Sequence, residues 1–216
     1  TKGYWKSKID KLYLGHTRLS IIDLSDEGSQ PMESFDKRYV IVFNGEIYNY
    51  ESLKIKLSTN KSKLKNVSDT RILLELISQY GLKKTLSLIE GMFAFMLWDK
   101  KEKTISLARD IYGEKPLFYY CEDDYFIFSS ELKCIKKLLK SKLKINDESM
   151  QLYSSLGYIP APLTIFKKVN KVLPGELLTF YNSNLSEKFK FNEFKNLNQN
   201  DDFSLNDLYY QTSELI

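Results

Sequence analysis

Hydrophobic and polar positions alternate, or run together, in short stretches over the first third of the chain. LYLGH (12–16), RLSIIDL (18–24) and YVIVFN (39–44) read as strands, closed by polar or glycine-bearing stretches such as DEGSQP (26–31) and NGE (44–46). From Glu51 the period changes. ESLKIKL (51–57) and DTRILLELISQY (69–80) carry apolar residues at spacings of three and four, which predicts two helices, with Ser68 placed to cap the second and Gly81 to stop it. Arg71 stands where a capping box would put glutamate. LKKTLSLIE (82–90) predicts a third short helix ended by Gly91.

Strand patterns return in FAFMLWD (93–99), TISLARD (104–110), PLFYYC (116–121) and YFIFSS (125–130), joined by DKKEK and EDD as hairpin connections. Together they predict a meander of antiparallel strands. ELKCIKKLLK (131–140) and DESMQLYSSLG (147–157) then read as helices, GYIPAPLTIF (157–166) as an extended, proline-restrained segment, and GELLTFYN (175–182) with KFKFNEF (188–194) as final strands. After Phe194 a stretch rich in Asn, Asp and Gln reads as a linker, and SLNDLYYQTSELI (204–216) begins another amphipathic helix. There is no internal repeat. Strands, helices, strands and helices in that order predict an α+β fold with helices on the faces of antiparallel sheets, not alternating crossover units.

Composition narrows the classes. Of 216 residues, 43% are hydrophobic and 14% aromatic, enough to bury a core and too many for disorder, so one globular domain with a short appendage is expected. Against 28 acidic residues stand 32 basic ones, and the net charge of +4 names no partner. Without a basic stripe interleaved with aromatics, no nucleic-acid partner is expected. No apolar run approaches the roughly 20 residues that span a bilayer, and the start is not a signal peptide, so no membrane partner and a cytoplasmic location are expected. Cys121 and Cys134 are too far apart for a C-x-x-C pair and lack a neighbouring histidine. Both are read as buried thiols, with no metal site. His16 reads as a hydrogen-bonded strand-end residue, and Tyr119, Tyr120, Phe126 and Phe128 as core between sheets.

Three predicted elements supply a set of side chains complementary to one small molecule: Arg18, the run Asn44, Gly45, Glu46, and Asp69. An arginine fork clamps a carboxylate, and an acid holds an ammonium, so the set suits an amino acid zwitterion. The Asn44 amide and the Gly45 N–H could aim two donors at a developing oxyanion. The same residues also read as ordinary structure, with NGE a strand-end turn, Arg18 a surface fork and Asp69 part of a helix start.

The segments LGHTRLSIIDLS, GSQPM, YVIVFNGEIYNY, SDT, EGMFAFMLWD, ARDIYGEKPLFYY, SSELK and GYIPAPLTIF, in this order and spacing, resemble the glutaminase domain of the asparagine synthetase family, a class II glutamine amidotransferase of the N-terminal-nucleophile hydrolase type. The resemblance runs from Gly3 to about Phe180. It implies a four-layer αββα sandwich of antiparallel sheets, truncated here at the N-terminus. It implies a domain over 1–180, with 181–216 holding a final strand, a linker and the start of an ATP-dependent synthetase domain. Carried over by position, Arg18 would hold the glutamine α-carboxylate and the backbone of Arg18, Leu19, Ser20, Ile21 and Ile22 would line the pocket. Asn44 and Gly45 would form the oxyanion hole, Glu46 would contact substrate, and Asp69 would receive the α-ammonium. Arg109, Asp110, Gly113, Lys115, Pro116 and Leu117 match a family pattern assigned to scaffold. Arg71 departs from the family's SDTE and would alter the pocket rim.

The family's nucleophile is a cysteine at the mature N-terminus whose own amine is the base, and neither Cys121 nor Cys134 can replace it, since an internal residue has no free α-amine. The chain opens at TKGYW, as though cut just after the family's RGPD motif. Some fifty residues would then precede it, set against domains of about 100 to 200 residues. Thr1 is not read as a nucleophile, because TKGYWK aligns with a loop. The parent would hydrolyse glutamine to glutamate and ammonia and use the ammonia to amidate aspartate with ATP and Mg; the piece alone would be inactive. No cofactor is expected in this chain, and a homodimer is left open. The alternatives are an amidotransferase feeding a sugar or cell-surface polymer, and a non-catalytic amino-acid-binding pseudo-glutaminase.

Overall fold

The structure is a computed structural model that describes residues 2–17, 28–58, 64, 67–122 and 125–191. The expected strand at 18–24, the linker and the helix at 204–216 lie outside the described residues, as does Thr1. In chain order the strands are β1 (Lys2–Ser7), β2 (Leu12–Thr17), β3 (Met32–Glu33), β4 (Tyr39–Ile47), β5 (Gly91–Asp99), β6 (Thr104–Arg109), β7 (Phe118–Glu122), β8 (Tyr125–Ser129), β9 (Val169–Lys171), β10 (Glu176–Tyr181) and β11 (Asn184–Lys190). The helices are α1 (Tyr50–Lys54), α2 (Asp69–Tyr80), α3 (Leu82–Leu86), α4 (Leu132–Leu139) and α5 (Asp147–Leu156).

A six-stranded antiparallel sheet runs in the order β11-β10-β6-β5-β4-β3, a three-stranded one in the order β8-β7-β9, and β1 pairs with β2 in a hairpin. The two-residue strand period separates two cores. Ile41, Phe43, Ile47, Phe93, Phe95 and Leu97 face one way and pack with Leu53 of α1, Ile72, Leu76 and Ile77 of α2 and Leu86 of α3. Val40, Ala94, Met96 and Trp98 face the other way, against Leu117, Tyr119, Phe126 and Phe128 around the three-stranded sheet and Trp5, Leu12 and Leu14 of the hairpin. That smaller sheet turns Tyr120 and Val169 outward onto Ile135 and Leu139 of α4. The layers are therefore helix, sheet, sheet, helix: the αββα sandwich expected from the sequence. Each large apolar side chain so buried contributes about 1.5 to 3 kcal/mol.

Several expectations are corrected. TKGYWK is not a loop: Lys2–Ser7 is β1, with Lys2, Tyr4 and Lys6 outward and Gly3, Trp5 and Ser7 inward. NGE does not close the preceding strand, since β4 continues through it to Ile47. The third helix stops at Leu86, and Gly91 opens β5 instead of ending a helix. The predicted meander is two hairpins in different sheets. After β6 the chain crosses because Asp110, fully buried, accepts from the amides of Phe93, Tyr112, Glu114 and Lys115 at 3.0 to 3.3 Å. Beside it Arg109 donates to the carbonyls of Lys115, Val172 and Gly113 at 2.7, 2.8 and 2.5 Å. A period-two pattern reports that a segment is a strand and says nothing of which sheet it joins. Of the thiols, Cys121 is half-buried and Cys134 is exposed, because Ile135 and Leu139 take the inward side of α4.

Candidate functional site

Of the candidate residues, Asn44, Gly45, Glu46 and Asp69 meet at the end of β4. Strand alternation continues past the apolar part, so Asn44 and Glu46 lie on the same sheet face as Val40 and Val42, the face turned toward the second sheet, and both are exposed there. The backbone alternates too. Phe93 exchanges bonds with Asp110 on the β6 side, its carbonyl accepting from the Asp110 amide at 2.8 Å and its own amide donating to the Asp110 carboxylate at 3.3 Å. Ala94 therefore faces β4, opposite Asn44. Phe43, Gly45 and Ile47 then present their backbone groups to the far edge, beyond the short stretch that β3 covers.

Side chains act as strand neighbours on that edge. The Phe43 amide donates to Gln30 Oε1 at 2.6 Å, and the Ile47 amide donates to Asp69 Oδ2 at 2.9 Å. His16 Nε2 lies 3.1 Å from the Phe43 carbonyl oxygen, which can only accept, so that nitrogen carries the proton. The Gly45 N–H faces the same edge midway between the two held amides, about 7 Å along the strand from each at some 3.4 Å per residue.

Gly45 is glycine for a steric reason. Its φ is +152°, and a Cβ there would sit 2.1 Å from the Met92 carbonyl oxygen and 2.7 Å from Phe93 Cα. Gly91, at φ +154°, makes the reciprocal approach, its would-be Cβ 2.1 Å from the Glu46 carbonyl oxygen. The two strands thus close tightly around Glu46 and Met92.

Asp69 opens α2, whose Ser68 cap accepts from the Arg71 amide at 3.3 Å as expected. Its Oδ1 accepts from the Thr70 amide at 2.6 Å, so the carboxylate joins a helix start to a strand end. An acid there also suits the positive end of the helix dipole. The surroundings are anionic. Desolvation first, then Glu114, Glu46 and Asp110, hold the Tyr48 phenol above the usual tyrosine range. Desolvation, a bond to Glu51, and the charges of Glu51, Asp69 and Glu46 do the same for Tyr50. Such a field favours a cation.

Arg18, Leu19, Ser20, Ile21 and Ile22 lie outside the described residues. They follow directly on β2, whose His16 touches Phe43. Arg71, expected at the pocket rim, is committed elsewhere: it donates to the Glu33 carbonyl at 2.5 Å and to Glu75 at 3.1 Å, and its guanidinium lies 4.7 Å from the Phe35 ring centre. Sequence reasoning missed Gln30 and Asn49. Asn49 donates to the Leu88 carbonyl at 2.9 Å and accepts from the Glu90 amide at 3.0 Å, locking the end of NGEIYN to the approach to β5. The signal was an amide side chain in each of two motifs already singled out, GSQPM and NGEIYN. Among the described residues no group of His, Cys, Asp and Glu could hold a metal ion, and no helix is long and apolar enough to cross a membrane.

Comparison with known proteins shows the family and the fold. Residues 1–191 match the family model described as "Glutamine amidotransferase domain". Asparagine synthetase [glutamine-hydrolyzing] 1 of Bacillus subtilis is 39% identical over 165 residues, covering 76% of this chain and 26% of its own length. Asparagine synthetase [glutamine-hydrolyzing] 3 of the same organism is 34% identical over 175 residues, covering 80% and 28%. The chain thus spans little more than a quarter of these curated relatives. Among solved structures, glutamine phosphoribosylpyrophosphate amidotransferase from B. subtilis superposes over 83% of this chain and 35% of its own, with a TM-score of 0.53 and 22% identity, which speaks to the fold.

Proposed function

The chain belongs to the glutamine amidotransferase domain family, and on that premise we propose that it is the glutaminase part of a glutamine-dependent asparagine synthetase. The observation that carries the reading is the β4 edge. Gly45 turns its N–H outward between two amides held by Gln30 and Asp69, while Asn44 projects on the adjoining face. A side-chain donor and a backbone donor from adjacent residues at one strand end suit an oxyanion at the glutamine side-chain carbonyl. Arg18 would clamp the α-carboxylate. Glu46 and Asp69 would meet the α-ammonium, for a carboxylate offers about four acceptor sites and Asp69 has committed Oδ1 to the Thr70 amide and hydroxyl but Oδ2 only to the Ile47 amide.

In the reaction so proposed, a thiol attacks the side-chain carbonyl carbon of glutamine, the oxygen takes up negative charge against Asn44 and Gly45, and ammonia leaves. Water then cleaves the thioester to glutamate and returns the thiol. Cys121 is not suited to that attack, since burial pushes its thiol up and the sulfur already contacts the Ser183 carbonyl at 2.5 Å. The attacking group would be the N-terminal cysteine that the family uses. Transfer of the ammonia to aspartate, with ATP and magnesium, belongs to the part of such a protein beyond this domain, and no residue described here is assigned to it.

Asn44→Ala tests the reading in the complete protein. Turnover of glutamine should fall by about 10² to 10³-fold with KM little changed. A raised KM with unaltered turnover would remove Asn44 from the oxyanion site.

A further inference from the structure

Resting on the glutaminase reading, we infer that Gln30 is a positioning residue for the oxyanion donors. Among the described residues no strand pairs with β4 at this point of its edge, and Gln30 takes the place of one. Gln30 is 8% exposed, and its Oε1 accepts from the Phe43 amide at 2.6 Å. The other backbone group of Phe43, its carbonyl, is taken by His16 at 3.1 Å. Phe43 immediately precedes Asn44, so both of its backbone groups are pinned by side chains from separate segments one residue before the donor pair begins.

The β1–β2 hairpin seats both clamps. His16 lies directly opposite Gly3 in the hairpin register. Gly3 packs so closely on the Gln30 backbone that a Cβ there would fall 1.8 Å from the Gln30 carbonyl oxygen. Gly3, His16 and Gln30 therefore form one assembly against Phe43, while Asp69 holds Ile47 on the far side of Gly45. An unpaired strand edge can shift or fray, because nothing fixes its outward amides. Pinned at Phe43 and Ile47, the segment between holds its one intervening outward amide, that of Gly45, in a set direction. Oxyanion stabilisation depends on donors placed before the charge develops, so the clamp acts on turnover and not on ground-state binding.

The test uses Gln30→Met, which keeps the volume and removes the acceptor, and Gln30→Glu, which keeps an acceptor for Phe43. Amide hydrogen exchange of this chain should show Phe43 exchanging about tenfold faster in Q30M, with Ile41 and Met96 changed less than about twofold, and protection recovered in Q30E. Equal acceleration across β4, or no change at Phe43, would overturn the inference. In the complete protein Q30M should lower kcat for glutamine hydrolysis about tenfold or more while KM stays within about twofold. A change confined to KM would also overturn it. If the unaltered complete protein hydrolyses no glutamine, the glutaminase reading fails, and the exchange pattern alone decides whether Gln30 sets this edge.

Discussion

Gly45→Ala separates steric from conformational demands at the site. In the structure the added methyl meets Met92 oxygen at 2.1 Å and Phe93 Cα at 2.7 Å, and the φ of +152° is one that an L-residue rarely adopts. The conformational part costs about 1 to 3 kcal/mol. The steric part cannot relax through a side chain, because both contacts are backbone. Strand β5 must retreat by about 1 Å or more, which loosens at least one or two ladder bonds worth about 1 kcal/mol each. The sum is about 2 to 5 kcal/mol, against a total stability of some 5 to 15 kcal/mol for a domain. Gly157 supplies the control, with φ +76° at the end of α5 and nothing within 4 Å of its would-be Cβ. Gly157→Ala should cost only about 1 kcal/mol, the penalty of a left-handed conformation. Urea unfolding of the two variants, read as midpoint shifts at constant slope, measures the difference. If Gly45→Ala lies within about 0.5 kcal/mol of Gly157→Ala, the tight closure of β4 on β5 is not what demands glycine.

Two further outcomes follow from buried charges. Arg71→Leu strips the cation from Glu75, which is 5% exposed, and should cost about 3 kcal/mol near neutral pH. Burial, opposed by the Phe35 amide and by Arg71, raises the Glu75 carboxyl above 4.5, so its charge is harder to hold in the folded protein than in the unfolded chain. The loss should therefore shrink as pH falls through that raised value toward 4.5, and a loss that does not vary with pH in thermal melts would contradict the assignment. Asp99 behaves oppositely: burial works against its charge, but Arg38 and the Glu102 and Lys101 amides outweigh burial and hold it below 3.8. Its contribution is present above 3.8 and lost as pH falls through the lowered folded value, so Asp99→Asn should flatten the acid limb of a Tm-against-pH curve. An unchanged limb would refute that.

Where each element lies along the chain was largely legible, because burial on one face writes a period into the sequence. α2 shows this best, with its Ser68 cap, its apolar stripe and Gly81 at its end all as expected. Partnership was less legible. The β5–β6 and β7–β8 hairpins look alike in pattern, and their separation into two sheets rests on Asp110 and Arg109, whose long-range bonds leave no periodic trace. β1 went unread although KGYWKS alternates, because a resemblance cast it as loop. For the site, residue types named Asn44, Gly45, Glu46 and Asp69. Gln30 was passed over as turn punctuation, because an amide that substitutes for a strand looks in sequence like any loop glutamine.

The period of two also explains why chemistry can be built at this strand end. Within three residues, even positions aim side chains at the inter-sheet face, Asn44 and Glu46, while the odd position Gly45 aims a backbone donor off the edge. A one-residue slip of β4 against β5 would exchange these roles, burying Asn44 toward the helices and turning the Gly45 amide into the ladder. On the proposed glutaminase reading, register is thus a catalytic variable as well as a structural one. It is fixed twice: by the paired glycines, Gly45 and Gly91, which permit only one close approach, and by Gln30, His16 and Asp69, which accept or donate only at the odd residues on the open side. On that same reading, Gly91, Gln30 and His16 touch no substrate and yet help determine whether the donor pair exists.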